Sequence, residues 1–140
     1  MPQRAVIGTV HTRIAKEQGV SHSGTSRVVL VVEDELLVRS LVALELRRAG
    51  WGVLETSTAE GAIEHLRLGH RVDVVVTDIR LAGPLSGWDV AEQFRAVMAN
   101  LPIIYTSGDS FDRSRRVEGS LFYDKPYRTV AIVEACEKLA

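Results

Sequence analysis

The stretch "VVLVVEDE", Val28 to Glu35, decides the fold. Five consecutive aliphatic residues, four of them β-branched, predict a strand hidden on both faces. Strands of that kind belong to parallel sheets covered by helices on either side. The run then stops on acids, Glu33 and Asp34. The same pattern returns in "VVVTDIRLAG", Val74 to Gly83, which runs apolar, takes Thr77 and ends on Asp78. A carboxylate at the end of a buried strand either caps the turn or helix that follows or belongs to a site.

Working outward, short apolar runs alternate with helical periodicity. After the first strand, Leu37, Leu41 and Leu44 fall at i, i+4 and i+7 and predict a helix with these leucines inward, ending near Gly50. "WGVLE" (51–55) reads as a second strand. Ser57 and Glu60 have capping-box spacing, opening a helix with Ala59, Ala62, Ile63 and Leu66 on one face and Gly69 at its close. "VDVVVT" (72–77) is the third strand. Val90, Ala91, Phe94, Val97 and Met98 mark the next helix. "LPIIYTS" (101–107) and "SLFY" (120–123) are the fourth and fifth strands, and the final helix is expected to turn Val130, Val133 and Cys136 inward. Between Ser107 and Lys125 there is room only for a short helix or an irregular turn. Five strands alternating with helices predict an α/β fold built on one parallel sheet.

The 140 residues suffice for a single core without disulfides, and Cys136 is the only cysteine, which fits a reducing cytoplasm. The chain has a net charge of −1, so bulk electrostatic binding to nucleic acid is not expected, and no apolar run reaches the ~20 residues of a membrane span. Residues 1–26 differ in composition: three basic residues against one acid, then the Gly/Ser-rich "GVSHSGTSR". They are expected to form a flexible extension to a domain spanning 27–140.

Position is the informative property of the polar residues. Glu33 and Asp34 follow strand one, Asp78 follows strand three, Ser107 ends strand four, and Lys125 lies beyond strand five. In an open α/β sheet the carboxyl ends of the parallel strands share one edge, where ligands bind. Three carboxylates crowded there raise at least one pKa unless a partner relieves them. A hard cation such as Mg²⁺ and the lysine could do so, a combination suited to phosphoryl transfer.

In "LVVEDE", "VVVTDI", "IIYTSG" and "FYDKP", in that order and each at a strand end, the chain resembles the receiver domains of two-component response regulators, single-domain chemotaxis-like receivers included. The resemblance covers Arg27 to Ala140. It implies a flavodoxin-like, doubly wound, five-stranded sheet of order 2-1-3-4-5. It also implies a phosphoryl group accepted on Asp78 from a histidine kinase or phosphotransfer protein, with no enzymatic turnover beyond self-phosphorylation and autodephosphorylation. Mg²⁺ would be held by Glu33, Asp34, Asp78 and the backbone carbonyl of Arg80. Ser107 would bond the phosphoryl oxygens, Lys125 would pair with the phosphate, and Phe122 stands at the aromatic switch position. Because the sequence stops at Ala140, output is expected through a protein partner or as a phosphate sink or shuttle. A receiver-like module that binds without phosphate is the alternative. The chain departs from the family where "LAGPLSG" places Pro84 late and Gly87 nine residues after Asp78 rather than eight.

Arg80 and Asp109 lie two residues past the phosphoacceptor and two past the switch hydroxyl, and an Arg–Asp pair there would slow autodephosphorylation. "DRSRR" (112–116) is either a docking patch or a solvated face. Trp51, Trp88, His65 and His70 read as packing or surface residues, and "HLRLGH" puts its histidines five apart, which suits no helical neighbour position. Cys136 is expected in the core.

Overall fold

A computed structural model describes residues 26–110 and 112–140. The expected N-terminal extension, apart from Ser26, lies outside the described residues. Five strands, β1 (Val28–Val32), β2 (Gly52–Thr56), β3 (Val74–Asp78), β4 (Ile103–Ser107) and β5 (Leu121–Asp124), form one parallel sheet of order β2-β1-β3-β4-β5. Four α-helices accompany them: α1 (Leu36–Arg48), α2 (Ala59–Arg67), α3 (Gly87–Val97) and α4 (Thr129–Leu139). This is the flavodoxin-like doubly wound fold that the sequence predicts.

Strand alternation sorts the core into two layers. Leu30, Val32, Val75, Ile103 and Tyr105 point to one face, where Ala59 and Ala62 of α2 and Trp88, Val90, Ala91 and Phe94 of α3 cover them. Val29, Val31, Val74, Val76 and Ile104 point to the other, against Val42 and Leu46 of α1 and Ile132, Val133, Ala135 and Cys136 of α4. The period of two in β-structure makes neighbours in an unbroken apolar run serve opposite layers.

Several helix faces differ from the sequence reading. Leu37, Leu41 and Leu44 are 72%, 47% and 43% exposed, and the sheet is met instead by Val42, Ala43 and Leu46. α1 carries two adjacent apolar stripes, and periodicity alone does not say which one turns inward. Val97 near the end of α3 and Val130 at the start of α4 are likewise exposed, each lying at a terminus where the helix runs past the sheet. The N-cap of α2 is Thr58, whose hydroxyl accepts the Gly61 N–H at 2.9 Å, and not Ser57. The capping box lies at α3, between Ser86 and Asp89. His65 and His70, five apart and so not neighbours along a helix, meet beyond its end. Gly69 takes a left-handed φ of 75° and folds the chain back until the two Nδ1 atoms are 2.8 Å apart.

The β4–β5 connection contains a single 3₁₀ turn, Arg113–Arg115. Its arginines are engaged within the chain. Arg115 Nη2 pairs with Glu92 at 2.7 Å and Asp89 at 3.2 Å, both on α3. Arg113 lies 3.5 Å over the Phe122 ring and pairs with Asp124 at 3.3 Å. Arg116 Nε donates to the Ser120 hydroxyl at 3.0 Å. Hydrogen bonds that a helix would make within itself are replaced here by side-chain ties to neighbouring elements.

The long loop after β3 returns to the sheet at Gly87, whose N–H donates to the Ile79 carbonyl at 2.8 Å. A Cβ at Gly87 would stand 2.2 Å from the Asp78 carbonyl oxygen and 2.9 Å from the Ile79 Cα. Both neighbours are backbone and cannot rotate away, so close approach dictates glycine here. Gly87→Ala is therefore expected to cost about 1–3 kcal/mol or more of stability, read as a lowered urea midpoint.

Candidate functional site

The strand order reverses between β1 and β3, and the carboxyl ends of these central strands carry Glu33 and Asp78. One oxygen from each of Glu33, Asp34 and Asp78 lies within 4.8 Å of the others. Glu33 is 3% exposed and Asp78 7%, whereas Asp34 faces solvent. The burial follows from sequence: Glu33 directly follows, and Asp78 ends, a strand that the fold hides on both sides.

Lys125 reaches this group from the far side of β4. Its backbone N–H donates to the Ser107 carbonyl at 2.7 Å, and the Lys125–Pro126 peptide is cis. The ammonium donates to Glu33 Oε1 at 2.8 Å and Asp78 Oδ2 at 2.9 Å, with Glu35 Oε1 at 3.6 Å. Burial holds the Glu33 and Asp78 carboxyls above the usual carboxylate range, the bonds from Lys125 opposing this only in part. Burial alone would lower the Lys125 amine, but its bonds to Glu33 and Asp78 outweigh that and raise it, so it stays charged. Three acids face one cation, an imbalance of the kind that a divalent ion with oxygen ligands relieves.

Ser107 is 1% exposed. Its hydroxyl closes a tight turn, accepting the Asp109 N–H at 2.9 Å and donating to the Asp109 carbonyl at 3.0 Å. Arg80 Nε pairs with Asp109 Oδ2 at 2.7 Å, with 71% and 50% of the two side chains exposed. The pair weighed in sequence is thus formed. Phe122 packs against Tyr105 and Trp88, with ring centroids 6.1 and 6.4 Å away, and carries Arg113 on its open face. Cys136 is fully buried and its thiol is pushed up to about 12 by burial, as befits a core residue.

The sequence reading missed three neighbours of the site. Glu35 extends the acidic run toward Lys125, a position visible in "VEDE". Tyr127, pushed up to about 12 by burial, lies with Lys125 along a groove of about 370 Å³ that Val38 and Leu41 also line. Arg39 holds the Glu33 carbonyl at 2.9 Å, a contact that no local spacing signals.

A doubly wound sheet with acids and a lysine gathered at its switch point defines a class, and comparison with known proteins gives its name. The profile of the response regulator receiver domain matches residues 29–136; the chain belongs to that family. A receiver protein structure from Sinorhizobium medicae shares 34% identity at a TM-score of 0.80, covering 84% of this chain and 96% of that one. The response regulator TrrA of Thermotoga maritima, solved in complex with Mg²⁺–BeF, shares 27% identity at a TM-score of 0.71, with coverage of 81% and 99%. Among curated relatives, the transcriptional regulatory protein TcrX of Mycobacterium tuberculosis, described as probable, is 36% identical over 58% of this chain and 34% of its own length. The autoinducer 1 sensor kinase/phosphatase LuxN of Vibrio campbellii is 29% identical over 67% of this chain and 11% of its own. The chain thus spans only a minor part of these curated relatives. Among the described residues, no helix is long and apolar enough to cross a membrane.

Raised carboxyl values fix the sign of a pH dependence. An acid whose folded pKa lies above its unfolded one favours the native state when protonated. That advantage is lost as pH rises from the unfolded value through the raised folded value. In metal-free buffer Asp78→Asn is therefore expected to melt above the wild type at pH 7, the gap closing as pH falls toward about 4. Melts across that range check it, and a lower Tm for the variant at pH 7 contradicts the charge assignment.

Proposed function

We propose that Asp78 accepts a phosphoryl group from a phosphohistidine of a kinase or phosphotransfer protein. The observation that carries this reading is the Lys125 ammonium, which crosses from β5 to bond Asp78 and Glu33 together at 2.9 and 2.8 Å. It opposes the burial that raises the Asp78 carboxyl and places a fixed positive charge where the transferred oxygens would gather. In the transfer an Asp78 oxygen bonds phosphorus, the P–N bond to the donor imidazole breaks, and the imidazole nitrogen takes up a proton. The product is an acyl phosphate.

Glu33, Asp34, Asp78 and the Arg80 carbonyl fit Mg²⁺, since the set is all oxygen and carries surplus negative charge. The ion would supply neutralisation of the charge that builds on the phosphoryl oxygens. The Mg²⁺–BeF complex of the related TrrA supports this assignment. Once Asp78 is modified, about −1.5 to −2 of new charge competes for the Ser107 hydroxyl, which leaves its turn with Asp109. Phe122, beside Tyr105 on the next strand, is the side chain placed to follow.

The donor would dock on α1. Its leucines 37, 41 and 44 are exposed, and Leu41 lines a groove with Glu35, Val38, Tyr127 and the site lysine Lys125. Output would pass to a protein partner, in the cytoplasm and without direct contact to nucleic acid or membrane, or the domain would act as phosphate sink or shuttle.

Incubation with acetyl phosphate and Mg²⁺ is expected to add ~80 Da, the mass of one phosphoryl group, to the intact protein. The adduct should be absent from Asp78→Ala and reduced by Lys125→Ala. No adduct on the wild type would favour a module that binds partners without phosphate. If the Arg80–Asp109 pair screens the phosphoryl group from hydrolytic water, Arg80→Ala should shorten the half-life of the phosphorylated protein several-fold. An unchanged half-life in a radiolabel chase removes that role from the pair.

A further inference from the structure

Each polar atom of the nearly buried Glu33 is held by a different part of the chain. Its N–H donates to the Thr56 carbonyl at 3.0 Å. Its carboxylate accepts from Lys125 at 2.8 Å through Oε1 and from the Glu35 N–H at 3.0 Å through Oε2. Its carbonyl accepts from Arg39 Nη1 at 2.9 Å. The first three ties come from the backbone or from the site itself. Arg39 is the exception, a side chain on α1 six residues along.

Arg39 is anchored in turn. Its Nε pairs with Glu55 Oε1 at 3.3 Å, and the other Glu55 oxygen takes Arg47 Nη1 at 2.9 Å. The Arg39 and Glu55 side chains are 17% and 28% exposed, against 50% for Arg47. The inner pair is therefore the sheltered one, where water competes least. A planar guanidinium can serve a carboxylate with one nitrogen and a carbonyl with another, which an ammonium cannot reproduce. The peptide that Arg39 grips joins Glu33 to Asp34, so any rotation of that carbonyl swings both acids relative to Asp78.

We infer that Arg39, braced by Glu55 of β2, is a positioning residue for the acidic cluster: it fixes the Glu33–Asp34 peptide so that both carboxylates face Asp78 and a divalent cation. The inference rests on the proposed reading of that cluster as a Mg²⁺ site. It adds the end of β2, a strand that contributes no ligand, to the apparatus that sets cation affinity. Groups that orient metal ligands without touching the ion commonly govern affinity by 10–100-fold. Arg39 acts through a backbone carbonyl, which places it at the lower end.

The test is a Mg²⁺ titration of the full chain followed by NMR, with MgCl₂ as the probe. Arg39→Ala and Glu55→Gln are each expected to weaken Mg²⁺ binding about tenfold, and Arg39→Lys, able to serve one acceptor but not two, to fall between. In metal-free protein the Glu35 amide should exchange faster in Arg39→Ala, because the Glu33–Asp34 peptide beneath its accepting carboxylate is no longer held. With acetyl phosphate the variants should be slow at low Mg²⁺ and recover the wild-type rate at saturation, a split that a general loss of fold does not produce. Should Arg39→Ala fail to fold, Glu55→Gln carries the test. Unchanged Mg²⁺ affinity in a folded Glu55→Gln overturns the inference while leaving the proposed function standing. A wild-type protein that takes up no Mg²⁺ overturns both.

Discussion

Two carboxylates held almost wholly out of water, a third beside them and one amine to answer all three form the arrangement on which the remaining architecture depends. Burial raises the free energy of the charged acids, and Lys125 offsets only part of that. The sheet makes the arrangement possible. β1 and β3 are neighbours at its centre, so their terminal acids meet, while β5 delivers the lysine from two strands away along a stem long enough to pass beyond β4. An ordinary surface cluster of the same residues would be solvated and screened, and would hold neither its geometry nor its shifted carboxyl groups.

Much of this is legible in sequence because double-faced burial leaves a plain signature. "VVLVV" and "VVVT" announce central parallel strands, and once those are assigned, the residues just past them must share an edge. That logic brings Glu33, Asp34, Asp78, Ser107 and Lys125 together with no knowledge of side-chain contacts. It fails where a local pattern permits two answers. α1 is apolar on more than one side, so Leu37, Leu41 and Leu44 read as core although Val42, Ala43 and Leu46 face the sheet. It fails also where a contact depends on tertiary placement. The His65–His70 contact needs the reversal at Gly69, and Arg115 of "DRSRR" finds its acids on α3 only after the chain has folded.

The loop after β3 is tied down at several points. Leu81 is 7% exposed, Ala82 forms an isolated parallel bridge with Thr58, and Gly83, at a φ of 94°, lies against the Glu60 carboxylate. These ties lie next to the N-terminus of α2, and at Gly87 the chain packs against the Asp78 carbonyl. Asp78 keeps its place because both sides of the loop are pinned to backbone.

The connection from β4 to β5 has a different character. A helix carries its own scaffold and presents the same surface in any buffer. The Arg113–Arg116 segment borrows its scaffold from Glu92, Asp89, Asp124 and the Phe122 ring, mostly through exposed ion pairs that salt screens over about 8 Å at physiological ionic strength. In such a surface each charge is held by its counter-charge. An acidic partner that takes Arg115 leaves Glu92 and Asp89 without their counter-ion, and a basic partner that takes those acids leaves Arg115 exposed. Either encounter changes the charge of two elements at once, on the flank of the domain that carries Phe122.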